Sequence, residues 1–378
     1  MGKNLKVLMI SSDRNVILSD SGVTARIREY GALVSEIHIV LLSDARHEFK
    51  DIQIAENVWV YPTNSFSNFM RPIDAAHLGK KIIFDKKFVR GGSLITADSL
   101  ECGWAGLRVK NKWRIPLELQ IHTDIFSPYF TGFQNKVRKF FAKKIIYGSD
   151  GIRVVSEELK SKILGVRPDA NVFVLPIYVD REKIENASIK LDVRARYGWS
   201  FAILSVSRLS PEKNLSLALE TLSLVRQRFP DTGLIIVGSG QEEGYLKSLA
   251  KKLNLSGAVE FAGWQEELAS FYKTSNAFIQ TSFFEGYGLS LVEAGLSGLP
   301  ILTTSVGVAR EFQDGRDLFI CDSKESFTTR IIELIESNSK RESLRFNMKK
   351  ALEGKLVSKE EYLNGLVSNW QKISAHIG

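Results

Sequence analysis

The chain begins with a short apolar run, KVLMISS, an amphipathic stretch, TARIREYGALVS, and a second apolar run, IHIVLLS. The alternation continues through VWVYP, SLITAD, LELQIH and GIRVVS. Short β-branched runs separated by amphipathic stretches of about ten to fifteen residues predict βαβ units on a parallel sheet. A polar stretch, REKIENASIKLDVRARYGWS, interrupts the pattern, which then restarts. FAILSVS precedes a helix predicted from about Leu215 to Arg228. GLIIVGS precedes one around Tyr245–Leu253, and VEFAG and AFIQTS lead to one from about Leu289, before PILTTS. Two such arrays predict an α/β protein with two Rossmann-like, doubly wound parallel-sheet domains, residues 1–190 and 191–357. Doubly wound domains of this kind place ligands at the carboxyl ends of their strands, here expected to face one shared cleft. The amphipathic tail, about residues 358–378, can dock on either domain, and packing on the first is the arrangement taken here.

Composition is that of an ordinary globular chain: 378 residues, 44% hydrophobic and 25% charged. That is long enough for two cores, and no run approaches the roughly twenty apolar residues of a membrane span. The first apolar run is too short for a signal peptide and is expected to be a buried strand. Cys102 and Cys321 lie far apart without metal-ligand spacing, which suits a reducing cytoplasm.

The net charge of +8 changes this picture, because residues 1–190 hold 29 Lys+Arg against 21 Asp+Glu, while residues 191–378 hold 22 of each. An anionic partner is therefore expected for the first half alone. Within it, DIFSPYFTGFQNKVRKFFAKKIIYG has no acid between Phe126 and Ser149. Phe133, Val137, Phe140, Phe141 and Ile145 follow helical spacing, with Lys136, Lys139 and Lys143 toward another face. A basic amphipathic helix over 133–147 predicts contact with an anionic membrane surface, on the inner face of the cell membrane. The alternative is a covering helix with a solvated basic face. No nucleic-acid recognition module accompanies the charge, so no nucleic-acid partner is expected.

The stretch FFEGYGLSLVEAGLSGLP, residues 283–300, looks like core yet carries Glu285 and Glu293. A bare carboxylate in an apolar helix costs several kcal/mol unless something pairs with it. Partners in the chain or the hydroxyls of a ligand must satisfy both. The Gly286-Tyr287-Gly288 turn lets backbone amides approach a ligand at a helix start. In FAILSVSRLSPEKN, Arg208 and Lys213 follow a strand and precede a helix, a seat for a diphosphate or simply two solvated cations. LIIVGSGQEEG misses the dinucleotide-loop spacing, its third glycine being one residue late, and is read as a tight turn.

Taken together, VSRLSPEKN, LIIVGSGQEE, VEFAGW and EGYGLSLVEAGLSGLPILTTSVGVARE, with the Glu-x7-Glu spacing, resemble the retaining GT-B glycosyltransferases of family 4, the glycosyl transferases of group 1. The resemblance covers most of residues 200–320. It implies that Arg208 and Lys213 contact the donor diphosphate, and that Glu285 with the Gly286, Tyr287, Gly288 and Leu289 backbone holds the donor sugar and distal phosphate. Glu293 is implied to hold the ribose hydroxyls, and the backbone from Gly263 to Leu268 the base. In the first half the likeness is thinner. Ile177-Tyr178 replaces the usual Asn-Gly, and the amino-terminal glycine pair is reduced to Ser21-Gly22-Val23. Gly22 is implied near the donor phosphates, and His122, at a strand end in LELQIHTD, near the donor sugar or reacting centre.

No Asp-x-Asp occurs, so no metal and no cofactor are expected beyond the nucleoside-diphosphate sugar as co-substrate. Charge on the leaving diphosphate would then fall to Arg208, Lys213 and helix-start amides. The expected activity is retaining transfer from a UDP- or GDP-linked sugar to a glycan or lipid-linked acceptor. The alternatives are transfer to a small soluble acceptor and a catalytically silent sugar-nucleotide-binding protein.

Overall fold

The computed structural model describes residues 4–126 and 133–375, with backbone alone for 133–137. The chain divides into two compact units, Met1–Pro176 with Ser358–Gly378, and Ile177–Val357.

The first unit is an eight-stranded sheet. Its strands are β1 (Lys6–Ser11), β2 (Glu36–Leu41), β3 (Ile52–Ala55), β4 (Val58–Pro62), β5 (Ser93–Ala97), β6 (Leu117–Ile121), β7 (Gly151–Val154) and β8 (Val172–Val174). They lie in the order β3-β4-β2-β1-β5-β6-β7-β8. All neighbours are parallel except β3, which pairs antiparallel with β4 through a tight connection. The hydropathy pattern predicts no strand at IQIA, because this half-exposed edge strand lacks the continuous apolar run of strands buried on both faces. Helices α1 (Gly22–Leu33), α2 (Arg71–Asp85), α3 (Leu100–Trp113), α4 (Phe133–Gly148) and α5 (Glu157–Val166) connect the strands. Ser21, Ser99 and Ser156 cap α1, α3 and α5 by accepting from backbone amides. Gly103 and Gly106 let α3 lie close on β6, since a Cβ at either would stand 2.8 Å from a leucine methyl of that strand.

Helix α4 departs from the predicted face. Ala142, Ile145 and Ile146 are buried, while Phe140 and Phe141 stand 67% and 43% exposed. The side chains of Phe133, Lys136 and Val137, part of the same expectation, lie outside the described residues. The spacing of apolar residues identified the helix but not its rotation. A face of 142, 145 and 146 meets the sheet, so residues 140, 143, 144 and 147 share the outer side.

The carboxyl-terminal helix, Lys359–Ala375, belongs to this first unit. Its Trp370 is fully buried, and the indole Nε1 donates to Glu118 Oε2 at 2.9 Å. Tyr362 shares a 2.9 Å hydrogen bond with Tyr30 and accepts from Arg153 at 3.0 Å. Thr96 and Gln120 also donate to the fully buried Glu118 carboxyl. Burial pushes Glu118 above the usual carboxylate range, against the pull of these donors. A carboxyl raised in the folded state weighs against folding as pH climbs from the unfolded value, about 4.3, toward its raised one. Glu118→Gln is therefore expected to gain stability relative to the parent across that interval, in urea unfolding at stepped pH. Parallel curves for the two proteins would refute it.

The second unit is a six-stranded parallel sheet. It comprises β9 (Phe201–Val206), β10 (Thr232–Val237), β11 (Val259–Gly263), β12 (Ala277–Gln280), β13 (Ile301–Thr303) and β14 (Phe319–Ile320), in the order β11-β10-β9-β12-β13-β14. Its helices are α6 (Arg181–Asn186), α7 (Val193–Tyr197), α8 (Leu215–Arg226), α9 (Glu243–Lys252), α10 (Ala269–Thr274), α11 (Leu289–Leu296), α12 (Lys324–Glu336) and α13 (Asn338–Glu353). The two-residue β14 was not predicted. The units divide at Pro176/Ile177 rather than at 190/191. Side-chain contacts draw the polar stretch into the second unit: Lys273 donates to the carbonyls of Glu185 and Ala187, Ser270 accepts from the Lys190 amide, and Arg181 pairs with Glu353.

Candidate functional site

The strand order of the second unit reverses between β9 and β12, the topological switch point where open α/β sheets bind ligands. The loops leaving these two strands carry most of the residues singled out above. After β9, the chain passes Arg208 and a short turn, Pro211–Lys213, into α8. After β12 it runs through Ser282 and Glu285 to the Gly286–Gly288 turn and α11. Thr281 Oγ1 ties the loops together, donating to the carbonyls of Lys213 and Asn214 at 3.1 and 2.9 Å.

Lys213 Nζ lies 2.8 Å from each oxygen of Glu285, and Ser282 Oγ donates to Glu285 Oε1 at 2.7 Å. The two charged side chains are only 14% and 11% exposed. A chain partner thus absorbs the Glu285 charge, and the pair forms one preset charged unit. Arg208 is placed differently. It is 76% exposed and joined at 3.0 Å to Glu212 on its own loop.

Gly288 is the left-handed residue, φ 97°, from which α11 starts, and no side chain caps that helix. Its first amides, beginning at Leu289, are therefore available to an anion. Tyr287 is buried, and its carbonyl accepts from the Val308 amide at 2.7 Å. Gly307, at φ 53°, permits that approach, since a Cβ there would stand 2.5 Å from the Tyr287 carbonyl oxygen. Glu293 lies inside α11, where Tyr272 donates to its Oε2 at 2.9 Å. Burial pushes the Glu293 carboxyl above its ordinary value, and the tyrosine hydroxyl opposes the shift. Gly263 ends β11 at φ 67°, and the Leu268 carbonyl accepts the Tyr272 amide.

Several site residues escaped the sequence reading. Ser282, Tyr272 and Gly307 support the two glutamates and the glycine turn. Gln280 is buried beside Gly288, and among the described residues neither end of its amide has a partner. Trp264 is 71% exposed directly after Gly263. Only Trp264, a tryptophan after a strand-ending glycine in VEFAGW, carried a visible signal. The others depend on contacts between segments distant in sequence. Gly238 and Gly240 are turn residues held close to the loop after β9, since a Cβ at either would strike the carbonyl of Ser207 or Leu209.

His122 and Gly22 lie in the first unit. His122 follows β6, and burial, aided by the charges of Arg153 and Arg26, lowers its pKa to about 3, so the imidazole stays neutral. Gly22 is the first residue of α1, where a Cβ would meet nothing within 4 Å, so no steric reason demands glycine there. Among the described residues no group of three or more His, Cys, Asp or Glu could hold a metal ion.

Residues 192–351 match the family "Glycosyl transferases group 1". An uncharacterized glycosyltransferase of Methanocaldococcus jannaschii is 25% identical over 49% of this chain and 47% of its own length. The alignment thus spans about half of that relative. The alpha-monoglucosyldiacylglycerol synthase of Acholeplasma laidlawii is 22% identical over 80% of this chain and 81% of its own. Among solved structures, Anabaena HepE in complex with UDP and glucose superposes with a TM-score of 0.75 at 20% identity, covering 97% of this chain and 98% of that one. At that identity the likeness establishes the fold, two parallel-sheet α/β domains of the GT-B type. The match to the group 1 glycosyltransferases thus lies in the carboxyl-terminal unit of the chain.

Proposed function

We propose that the protein moves a sugar from a UDP- or GDP-linked donor to a glycan or lipid-linked acceptor, with retention of anomeric configuration. The observation that carries this reading is the charged group at the switch point, where the largely buried Lys213–Glu285 pair and the uncapped start of α11 precede Glu293, about one turn into the same helix. Glu285 and the 286–289 backbone position the donor sugar and distal phosphate. Lys213, Arg208 and the helix-start amides neutralise charge on the departing diphosphate, without a metal. Glu293 accepts from the ribose hydroxyls, and the backbone from Gly263 to Leu268 meets the base. His122 supplies a neutral hydrogen-bonding imidazole and Gly22 an approach for phosphate. HepE was solved with UDP and glucose, and the Acholeplasma relative is named for making a glycolipid. The first supports a nucleotide-sugar donor and the second a lipid acceptor, and the basic face of α4 supports work at a membrane surface.

Thermal unfolding with UDP, GDP and ADP, each with magnesium or EDTA, tests the donor site. A nucleotide at about 100 times its Kd adds roughly 2.7 kcal/mol of stability. One nucleotide is expected to do so regardless of metal, and Glu293→Ala to lose most of the effect. The pH dependence follows from burial, because Glu293 accepts from two hydroxyls only as a carboxylate and its pKa is raised. Affinity should therefore begin to fall at a pH above the ordinary carboxylate value of about 4.3. Failure of every nucleotide to stabilise the parent protein would overturn the reading.

A further inference from the structure

Helices α3 and α4 enclose a groove of about 100 Å³ lined by Trp104, Leu107, Arg108, Phe141, Lys144 and Ile145, with Asn111. It is far smaller than the roughly 300–1,000 Å³ of a small-molecule pocket, so it fits one small group rather than a nucleotide or a sugar chain. Its floor is apolar, and the Arg108 guanidinium lies 4.6 Å from the Trp104 ring centre. The surrounding surface is cationic and aromatic together. On α4, Phe140, Lys143, Lys144 and Tyr147 share the outer side, and all four are exposed. On α2, Phe84 is 69% exposed and packs 6.1 Å from Trp113 at the end of α3. A solvated covering helix has no use for phenylalanines on its wet side, and exposed aromatics beside lysines are what an interfacial helix presents.

We infer that the α3–α4 groove binds the phosphate headgroup of an anionic lipid, with Arg108 and Lys144 flanking the phosphate and Phe140, Phe141 and Tyr147 entering the headgroup layer. A positive, aromatic-rimmed surface complements an anionic bilayer on both counts, charge and apolar area. Arg108, Lys112, Lys143 and Lys144 are all exposed on these helices, whereas Glu101 is the one acid within α3 and α4. The inference rests on the lipid-linked reading of the acceptor and adds the place where the membrane is held.

Co-sedimentation with vesicles tests it. The full chain is mixed at low salt with phosphatidylcholine vesicles, alone or with one part in three phosphatidylglycerol. The parent is expected to pellet with the anionic vesicles and remain free of the neutral ones. Each basic residue near an anionic surface contributes about 1 kcal/mol, so Lys144→Glu, a change of two charges, should weaken partitioning roughly 10- to 30-fold. Phe140→Ser with Phe141→Ser should weaken it at least about tenfold, while Phe346→Ser, an equally exposed site of the second unit, should not. A groove, as opposed to a diffuse positive surface, requires Arg108→Gln to cost clearly more than Lys112→Gln. Equal losses for those two overturn the groove, and so does a parent that binds no vesicle. Arg108, Lys112, Phe140, Phe141 and Lys144 all lie in the first unit, so UDP or GDP stabilisation of their variants should persist. A protein that binds nucleotide but no vesicle sinks this inference alone, and one that binds vesicles but no nucleotide sinks the donor reading alone.

Discussion

Lys213→Ala is expected to lower kcat about 10²- to 10³-fold, read as release of nucleoside diphosphate from the donor sugar. The magnitude is that of removing one fixed donor from a site where charge develops. The lysine approaches both Glu285 oxygens at 2.8 Å, so its removal also leaves a nearly buried carboxylate without its counter-charge. Breaking one side of such a pair costs about 3 kcal/mol, whereas removing both partners together is much milder. Glu285→Ala with Lys213→Ala should therefore recover most of the lost stability and none of the lost turnover. If the single Lys213 variant turned over at the parent rate, the lysine would be structural and the diphosphate role would fall. If the double variant regained activity, neither residue would touch the donor.

Trp370→Ala should destabilise the first unit by about 3–5 kcal/mol, the usual effect of deleting a fully buried aromatic. The indole fills the space between the carboxyl-terminal helix and the sheet, packs edge-on against Tyr30 with ring centres 5.9 Å apart, and donates to Glu118. The substitution thus opens a cavity and removes one of the donors to a buried carboxyl. Amides of residues 359–375 should lose protection from hydrogen exchange before those of β1 and β5. Trp370→Phe, which keeps most of the apolar volume, should cost appreciably less. Equal losses for the alanine and phenylalanine variants would place the whole effect in the Glu118 hydrogen bond.

Much of this protein was legible in its sequence, for identifiable reasons. Strands buried on both faces read as largely apolar runs, so β1, β2, β5, β9, β10 and β12 were visible, while β6 showed as the alternation LELQI. Helix α11 was expected from Leu289 and begins there, because Gly288 takes the left-handed turn that starts it. The polar stretch after β8 gave a weaker signal. Its side chains and backbone are held by Ser270, Lys273 and Glu353, all far away in sequence, and the unit boundary moved accordingly.

The sequence by itself determined two doubly wound arrays, the segments that carry chemistry, the two out-of-place glutamates and the half of the chain that holds the positive charge. Each of these rests on local composition or on spacing along one element. The tertiary structure alone decided how those charges are used. It paired Lys213 with Glu285, left Arg208 in solvent, set Tyr272 on Glu293, and turned Phe140 and Phe141 outward beside their lysines. Periodicity gives the existence of an amphipathic helix, but its rotation and its partners follow from packing against strands and loops that are remote in the chain.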